Sequence, residues 1–346
     1  MRTILLLIVT LAVTAPLHAQ KKQYGVTAVS FYNLENLFDP ADDPKRFDED
    51  FTPSGPYAWT EEVYKQKLHN MAFAISKIGV ETVPDGPAFI GVTEVENEKV
   101  LQDLLAQPEL KGRGWRYVWF EGPDMRGIDV AAIYDPRRFK LLGAQALKVD
   151  LRDSGEVKGG GTRDVLHVTG NLLGDTVHLF VNHWPSRRGG EAASAPLRAK
   201  AAAVPRAAID SLMSVNRSTR AIVMGDLNDD PVSPSVTRVL RATHKKDKVG
   251  PSTLYNPWVK FYNDGIGTLA YNDSWNFFDQ ILLTHPFLEE DDKHWRYYKG
   301  EVFNRDFLIQ KFGQYKGYAH RSHSGTTWLN GYSDHFPTVV YLIKAQ

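Results

Sequence analysis

The chain has 346 residues, of which 42% are hydrophobic, and 41 basic residues balance 41 acidic ones. A chain of this length and composition can bury a proper core, and we expect one folded domain over residues 20–346. The chain contains no cysteine, which excludes disulfides and thiolate metal sites, and there is no basic excess of the kind that marks many nucleic-acid-binding proteins.

Residues 1–19 have the pattern of a signal peptide. Arg2 supplies a positive start, a short apolar run follows over residues 4–12, and Ala19 provides the small residue of a cleavage site. The apolar run is too short to span a bilayer. We therefore expect an exported protein, periplasmic or secreted and without a transmembrane segment, that begins at Gln20.

Strand-like and helix-like segments alternate along the rest of the chain. In the longest helix-like segment, residues 60–78, Leu68, Met71 and Ile75 recur at helical spacing, Thr60 starts the helix and Gly79 stops it. A second helix is predicted over residues 195–213. The predicted strands, rich in Val, Ile and Phe, cover residues 27–33, 88–95, 129–134, 165–171, 177–184, 221–227, 277–284 and 337–343. This alternation favours an α/β layered domain.

Five short polar motifs stand at or next to predicted strands. They contain acidic, amide and imidazole side chains, which suit water attack on a phosphate held by a divalent metal. In chain order the motifs occupy residues 31–36, 90–97, 181–186, 223–228 and 331–337.

With these five motifs in this order, the chain resembles the endonuclease/exonuclease/phosphatase superfamily, which includes deoxyribonuclease I, exonuclease III, sphingomyelinases and inositol-polyphosphate phosphatases. The resemblance spans residues 27–343. It implies a four-layer sandwich of two packed mixed β-sheets flanked by helices. It also implies a metal-dependent phosphoric ester hydrolase.

The resemblance implies a site for Mg²⁺ or Mn²⁺, hard cations that prefer oxygen ligands. Glu94 is the first-choice ligand, with Asn33 and Asp334 beside it and Glu35 as a further acidic candidate. Glu96 stands two residues after Glu94 and points to the same side of a regular strand, so it stays open as the alternative ligand.

The resemblance also assigns the groups that act on the reacting phosphate. Asp226 orients or deprotonates the attacking water, and Asn228 steadies the transition state. His335 contacts the phosphate and is oriented by Asp279. His183 places the chain nearer the deoxyribonuclease and sphingomyelinase patterns than exonuclease III.

Three further positions complete the prediction for the phosphate site. Asp129 is predicted to orient His183. Arg163 resembles the arginine that opens a strand and grips the scissile phosphate. Arg187 and Arg188 follow the His183 motif and could add phosphate contacts, although paired arginines in loops are usually only solvated.

Together these features predict an exported phosphoesterase that hydrolyses by direct water attack, with a nuclease as the leading hypothesis. One rival acts on phospholipid head groups or inositol phosphates, and another is a non-catalytic binding protein on the same scaffold. We expect a monomer whose partner is its phosphoester substrate, with nucleic acid the leading candidate, and no stable protein partner.

Overall fold

The computed structural model describes residues 22–151 and 161–346, so the predicted signal peptide lies outside the described residues. Two large mixed sheets form the architecture, with helices on their outer faces, as the resemblance implies. The seventeen strands of the described residues are β1 (Tyr24–Leu37), β2 (Phe89–Val95), β3 (Arg116–Trp119), β4 (Asp129–Tyr134), β5 (Phe139–Leu147), β6 (Val165–Leu172), β7 (Asp175–His183), β8 (Arg220–Asp226), β9 (Ala242–Thr243), β10 (Leu254–Tyr255), β11 (Leu269–Tyr271), β12 (Ser274–Asn276), β13 (Asp279–Thr284), β14 (Arg296–Val302), β15 (His323–Ser324), β16 (Thr327–Trp328) and β17 (Thr338–Ala345).

The first sheet has the strand order β14-β17-β1-β2-β4-β3, and the second has the order β5-β6-β7-β8-β13-β10-β9. At the centre of the first sheet β1 and β2 are parallel, and at the centre of the second β7 and β8 are parallel. Parallel neighbours end at the same edge of a sheet. Polar residues at or near the ends of these four strands meet at one edge of the sandwich, where Asn33 contacts both Glu94 and Asp226 and His183 lies next to Asp226.

The two sheets pack face to face through a hydrophobic core to which both contribute. Gly91 of β2 packs directly on the second sheet: a Cβ there would stand 2.7 Å from the sulfur of Met224 in β8. The lack of a side chain at Gly91 thus lets the two halves of the edge come together.

The helices of the described residues are α1 (Glu61–Lys77), α2 (Glu98–Leu105), α3 (Pro108–Lys111), α4 (Glu191–Val215) and α5 (Val259–Asn263). Helix α1 begins as predicted, because the Thr60 side chain accepts a hydrogen bond from the amide of Val63. It buries Leu68, Met71 and Ile75 in the core shared with the first sheet, while α4 shares a second core with β7 and β8. No helix of the described chain is long and apolar enough to cross a membrane.

Candidate active site

The pairing register places three candidate side chains side by side in the second sheet. His183, the last residue of β7, pairs with Asp226, the last residue of β8, and Asp226 pairs with Asp279, the first residue of the antiparallel β13. All three are buried at this edge, each with less than a tenth of its surface exposed. The edge of the second sheet is thus a row of one imidazole and two carboxylates.

The first sheet contributes an amide and a carboxylate to the same edge. The Asn33 Nδ2 atom of β1 donates to Glu94 Oε1 of β2 at 3.2 Å and to Asp226 Oδ2 at 3.1 Å. One carboxamide therefore connects both sheets through two carboxylates.

Two imidazoles flank Asp226. Its Oδ2 atom lies 3.6 Å from His183 Nε2 and 3.8 Å from His335 Nε2, and His183 Nε2 lies 3.8 Å from Glu94 Oε1. His335 reaches this position from the segment before β17, which runs antiparallel to β1. Asp226 is the common neighbour of the whole group.

The two imidazoles differ in electrostatic environment. His335 Nδ1 lies 2.7 Å from Asp279 Oδ2. Burial opposes the charged form of His335, but Asp279 and Asp226 outweigh it and hold the pKa of His335 well above its usual value. Burial lowers the pKa of His183 well below the usual value, and the nearby Arg163 and Arg126 add to this.

Asp226 is buried close to two other carboxylates. Burial raises the pKa of its carboxyl to about 7; the carboxylates of Asp279 and Glu94 add to this increase, while His335 opposes it. Its Oδ1 atom accepts a hydrogen bond from the amide of Asn228 at 2.9 Å. A buried carboxylate with one oxygen anchored and the other facing two imidazoles is suited to exchange a proton at the second oxygen.

Left-handed backbone conformations shape this edge. Glu94 has φ 62° and Asn228 has φ 48°, and Glu35 and Asn36 lie in the same region with φ 48° and 52°. The β1/β2 register shifts between Asn33 and Leu37, which marks a bulge. Such conformations cost free energy in residues with a side chain and concentrate at functional sites.

The donor atoms present fit a divalent cation. Glu94 and Asp334 offer partly exposed carboxylates, whereas Asn33 faces Glu94 with its Nδ2 atom and accepts from the Glu35 amide at 2.9 Å with its Oδ1 atom, so it orients Glu94 and offers the cation no oxygen. Among the described residues one group of histidine and carboxylate side chains is close enough to hold a metal ion, namely Asp226, Asp279 and His335. Within it Asp279 Oδ1 is buried and has no hydrogen-bond partner. Oxygen-rich donors of this kind suit Mg²⁺ or Mn²⁺.

Comparison with known proteins gives the family. A model of the endonuclease/exonuclease/phosphatase family matches residues 28–344. The chain belongs to this family. No curated protein resembles it closely enough to count as a match.

Solved structures of the family share the fold at low sequence identity. An endonuclease/exonuclease/phosphatase family protein from Bacteroides thetaiotaomicron is 15% identical, with a TM-score of 0.53 over 93% of this chain and 98% of that one. A mannosyl-6-phosphatase from the same species is also 15% identical, with a TM-score of 0.53 over 91% and 99%. TDP2 from D. rerio in complex with a single-strand DNA product is 12% identical, with a TM-score of 0.53 over 92% and 98%.

Six residues predicted from the family pattern meet at the edge: Asn33, Glu94, His183, Asp226, Asp279 and His335. Asp334 borders it, with Oδ1 at 3.8 Å from His335 Nε2. Asn228 lies beyond the end of the strand that carries Asp226. The strand ends at Asp226, and the left-handed turn at Asn228 directs its Nδ2 atom to the carbonyl oxygen of Trp184 at 3.0 Å.

The two other acidic metal candidates have hydrogen-bond partners different from those of Glu94. Glu35 Oε2 accepts from the amide of Ser322 at 2.6 Å and lies 4.0 Å from Lys67 Nζ. Glu96 Oε2 accepts from the amide of Asp39 at 2.6 Å. Because the backbone is left-handed at Glu94, the strand alternation is broken there, and Glu94 and Glu96 do not share a partner. Our assumption of a regular strand at this point was wrong.

Asp129 and Arg163 do not make the contacts predicted for them. Asp129 does not orient His183: the Nδ1 atom of His183 is buried without a partner, and Asp129 packs against Gly122. Arg163 is buried and donates to Asp124 Oδ2 at 2.9 Å and to the carbonyl oxygens of His183 at 3.2 Å and Trp184 at 2.6 Å. Its donors hold the main chain of the His183 segment, so it acts there as a support.

Sequence reasoning missed the partners of these groups. Asp124 fixes Arg163 and also accepts from Arg126, and Arg321 lies 3.5 Å from Asp334 Oδ2. None of the three stands in a recognisable motif. The only available signal was their place in polar loops close to the motif strands.

Proposed function

We propose that the chain hydrolyses phosphoesters with a divalent cation by direct attack of water. The observation that carries this proposal is the position of Asp226 between His183 and His335, with His335 held by Asp279. A carboxylate next to a cationic imidazole and a neutral imidazole provides a proton acceptor and a stabiliser of negative charge within one site.

Each residue of this site has a proposed role. Asp226 takes the proton of the attacking water, Asn33 and Asn228 orient the groups around it, and His335 stabilises charge on the phosphoryl oxygens. His183 hydrogen-bonds the phosphate or the leaving group from the opposite side. Glu94 and Asp334 would hold Mg²⁺ or Mn²⁺, with Asn33 orienting Glu94 through its Nδ2 atom. When bound, such an ion neutralises phosphate charge as a Lewis acid.

The contacts of the arginines favour a small phosphoester as the substrate. Arg163 has its donors on Asp124 and main-chain oxygens, and Arg187 donates to the Asn228 carbonyl oxygen and to Asp230. A cavity beside Glu96 is lined by several carboxylates, including those of Asp42 and Asp43. A long polyanion would meet few free cations and several like charges here.

Nucleic acid is the second candidate substrate. It was the leading hypothesis from the sequence, and a structure with the same fold has been solved with a single-strand DNA product. Arg188 is exposed next to the His183 segment and is placed to contact a phosphate of a longer substrate.

The proposal is tested by assaying the purified protein with Mg²⁺ or Mn²⁺ on DNA, RNA, sphingomyelin, inositol phosphates and sugar phosphates. Chelation should abolish activity and the metal should restore it. Asp226→Asn and His335→Ala should each lower turnover by roughly a hundredfold or more, as loss of an acid-base group does, without loss of the fold. Activity in excess chelator, or normal turnover in both variants, would contradict the proposal.

A further inference from the structure

A cavity of about 230 Å³ adjoins the candidate active site. Its lining includes Glu35, Phe51, Tyr57, Trp59, Arg321 and His323. We call it the aromatic pocket. Two of its residues contact the site directly: the Asn36 amide donates to Glu94 Oε2 at 2.8 Å, and Arg321 lies 3.5 Å from Asp334 Oδ2. A group attached to a phosphate in the site could therefore extend into this pocket.

One wall of the aromatic pocket is a firm apolar surface. Phe51 stacks on Tyr57 with ring centroids 4.7 Å apart and on Phe38 at 4.2 Å. His323 packs edge-on to Tyr57 at 5.0 Å and lies 5.5 Å from Trp59. Because these rings pack on one another, the wall is fixed before any ligand binds.

The remaining lining is polar and holds unused hydrogen-bonding capacity. His323 is 8% exposed, and its Nε2 atom has no partner. Burial, with Lys67 adding to it, lowers the pKa of His323 to about 4, so its ring is neutral. The Nε atom of Arg321 is likewise buried without a partner. Both atoms belong to residues that line the pocket, so they can take a hydrogen bond from or give one to a polar ligand there.

Residues of β1 and α1 hold the segment that carries Arg321 and His323 in place. Glu35 accepts from the Ser322 amide at 2.6 Å, and the buried Lys67 donates to the Tyr332 carbonyl oxygen at 2.6 Å and to the Ser322 hydroxyl. The segment that carries Arg321 and His323 is thus anchored to β1 and α1. A pre-formed arrangement of this kind lowers the entropy that a ligand loses on binding.

The size and chemistry of the aromatic pocket select one class of ligand. Its volume is below the roughly 300 Å³ at which pockets for drug-sized ligands begin, so it takes a single ring. A sugar ring has an apolar C–H face, which suits the aromatic wall, and hydroxyl groups at its edge, which suit Glu35, Arg321 and His323. Phe51 is stacked between Phe38 and Tyr57, so it cannot also sandwich a nucleobase between two aromatic faces, whereas a sugar ring needs only one apolar surface.

We propose that the aromatic pocket binds the sugar ring of a phosphorylated monosaccharide whose phosphate lies at Asp226 and His335. This inference rests on the proposed hydrolysis of phosphoesters and names its substrate. Arg321 links the two parts, since it lines the pocket and also faces Asp334.

The test compares three variants on substrates that differ in the ring. His323→Phe keeps a flat ring against Trp59 but removes the unpartnered nitrogen, and Tyr57→Ala removes part of the aromatic wall. Tyr271→Ala is the control, because Tyr271 is 69% exposed and lies outside the pocket. The substrates are glucose, mannose and galactose 6-phosphates, the ring-free glycerol 3-phosphate, and adenosine 5′-monophosphate.

The expected result is a kcat/KM for one of the hexose phosphates at least tenfold above that for glycerol 3-phosphate. This ratio should fall about tenfold or more in His323→Phe and Tyr57→Ala, mainly through KM, and should not change in Tyr271→Ala. In saturation-transfer NMR, the matching methyl hexoside, which has no phosphate, should bind the parent protein and not His323→Phe.

The other outcomes separate the two proposals. Equal hydrolysis of hexose phosphates and glycerol 3-phosphate, unchanged in His323→Phe, would overturn the sugar pocket and leave phosphoester hydrolysis intact. A preference for the adenosine nucleotide that depends on His323 would assign the pocket to a nucleobase instead. If none of these or other phosphoesters is hydrolysed, the proposed function fails, and the NMR measurement alone decides whether the pocket binds a sugar.

Discussion

Metal binding is proposed to depend most on the carboxylate of Glu94. Its Oε1 atom faces Asn33 and His183, and its Oε2 atom accepts from the Asn36 amide, so both oxygens lie within the site. Glu96, two residues later, accepts from the Asp39 amide and lies next to a different cavity. The two carboxylates are therefore a matched pair for testing which one binds a cation.

We expect Glu94→Gln to weaken Mn²⁺ binding tenfold or more, because a neutral amide replaces a charged oxygen ligand. Glu96→Gln should change the affinity by less than about twofold. Burial raises the pKa of Glu96 to about 8, so the Gln substitution there replaces a largely neutral group. Isothermal titration calorimetry with Mn²⁺ measures both affinities, and the reverse order would move the metal site to Glu96.

The ends of β6 and β7 illustrate how one buried side chain supports a strand end. Arg163 precedes β6 and donates to the carbonyl oxygens of His183 and Trp184 at the end of β7. Its guanidinium forms an ion pair with Asp124. The family pattern suggested that this arginine grips the phosphate. The described contacts instead leave it 5% exposed, with a structural role under His183.

Arg163→Met should destabilise the protein by about 3 kcal/mol, since it removes a buried charge from its partner and takes one donor from the carbonyl oxygens of His183 and Trp184, of which only that of Trp184 keeps a bond from Asn228. Urea unfolding monitored by fluorescence measures the loss. Arg188→Met, at an exposed position, is the control and should change stability by less than about 0.5 kcal/mol. A stable Arg163→Met protein with a greatly raised KM would instead favour phosphate contact.

The turn between β4 and β5 is held by a buried carboxylate. Asp135 accepts from the Arg137 side chain at 2.7 Å and from Arg138 Nε at 2.9 Å, and Arg138 also donates to the Gly86 and Pro87 carbonyl oxygens before β2. Burial opposes the charged form, but the hydrogen bonds from Arg137 and Arg138 outweigh it and lower the pKa of Asp135 to about 2.

A folded-state pKa below the unfolded value adds stability that is present above the unfolded pKa and is lost as the pH falls through the folded pKa. Asp135→Asn should therefore cost about 2 kcal/mol near neutral pH, and the difference should shrink between about pH 4 and pH 2. Chemical unfolding at several pH values measures this, with the exposed Asp306→Asn as control. A difference that stays constant over this range would show that the carboxylate charge is not the cause.

At the scale of the whole molecule, the sandwich assembles a site that neither sheet contains alone. Asn33 and Glu94 come from the first sheet, and His183, Asp226 and Asp279 come from the second. The close approach at Gly91 allows the Asn33 amide to reach Asp226. A larger residue at position 91 would separate the two halves of the site as well as disturb the core.

Export is the remaining prediction for the whole chain. If residues 1–19 act as a signal peptide, the mature protein begins at Gln20 and lacks Arg2. Mass spectrometry of the periplasmic or secreted fraction after expression with the native leader checks the cleavage position. Detection of Arg2 in the product would refute the prediction.

Much of the scaffold was predictable because local patterns specify it. Apolar runs located all eight predicted strands, with ends that differ by a few residues, and the Thr60 cap located the start of α1. The other nine strands of the described residues, which are short or exposed, were missed: β3, β5, β9, β10, β11, β12, β14, β15 and β16. They carry little of the apolar periodicity that marks a strand, and pairing with neighbours stabilises them.

The sequence by itself determined which residues end the central strands, since alternation and order along the chain fix those positions. Only the tertiary structure decided which partners their side chains meet. The left-handed backbone at Glu94 separates it from Glu96, the buried Arg163 turns to main-chain oxygens, and segments some 270 residues apart meet in the aromatic pocket. Hydrogen bonds between distant segments depend on register and sheet packing, which no local pattern contains.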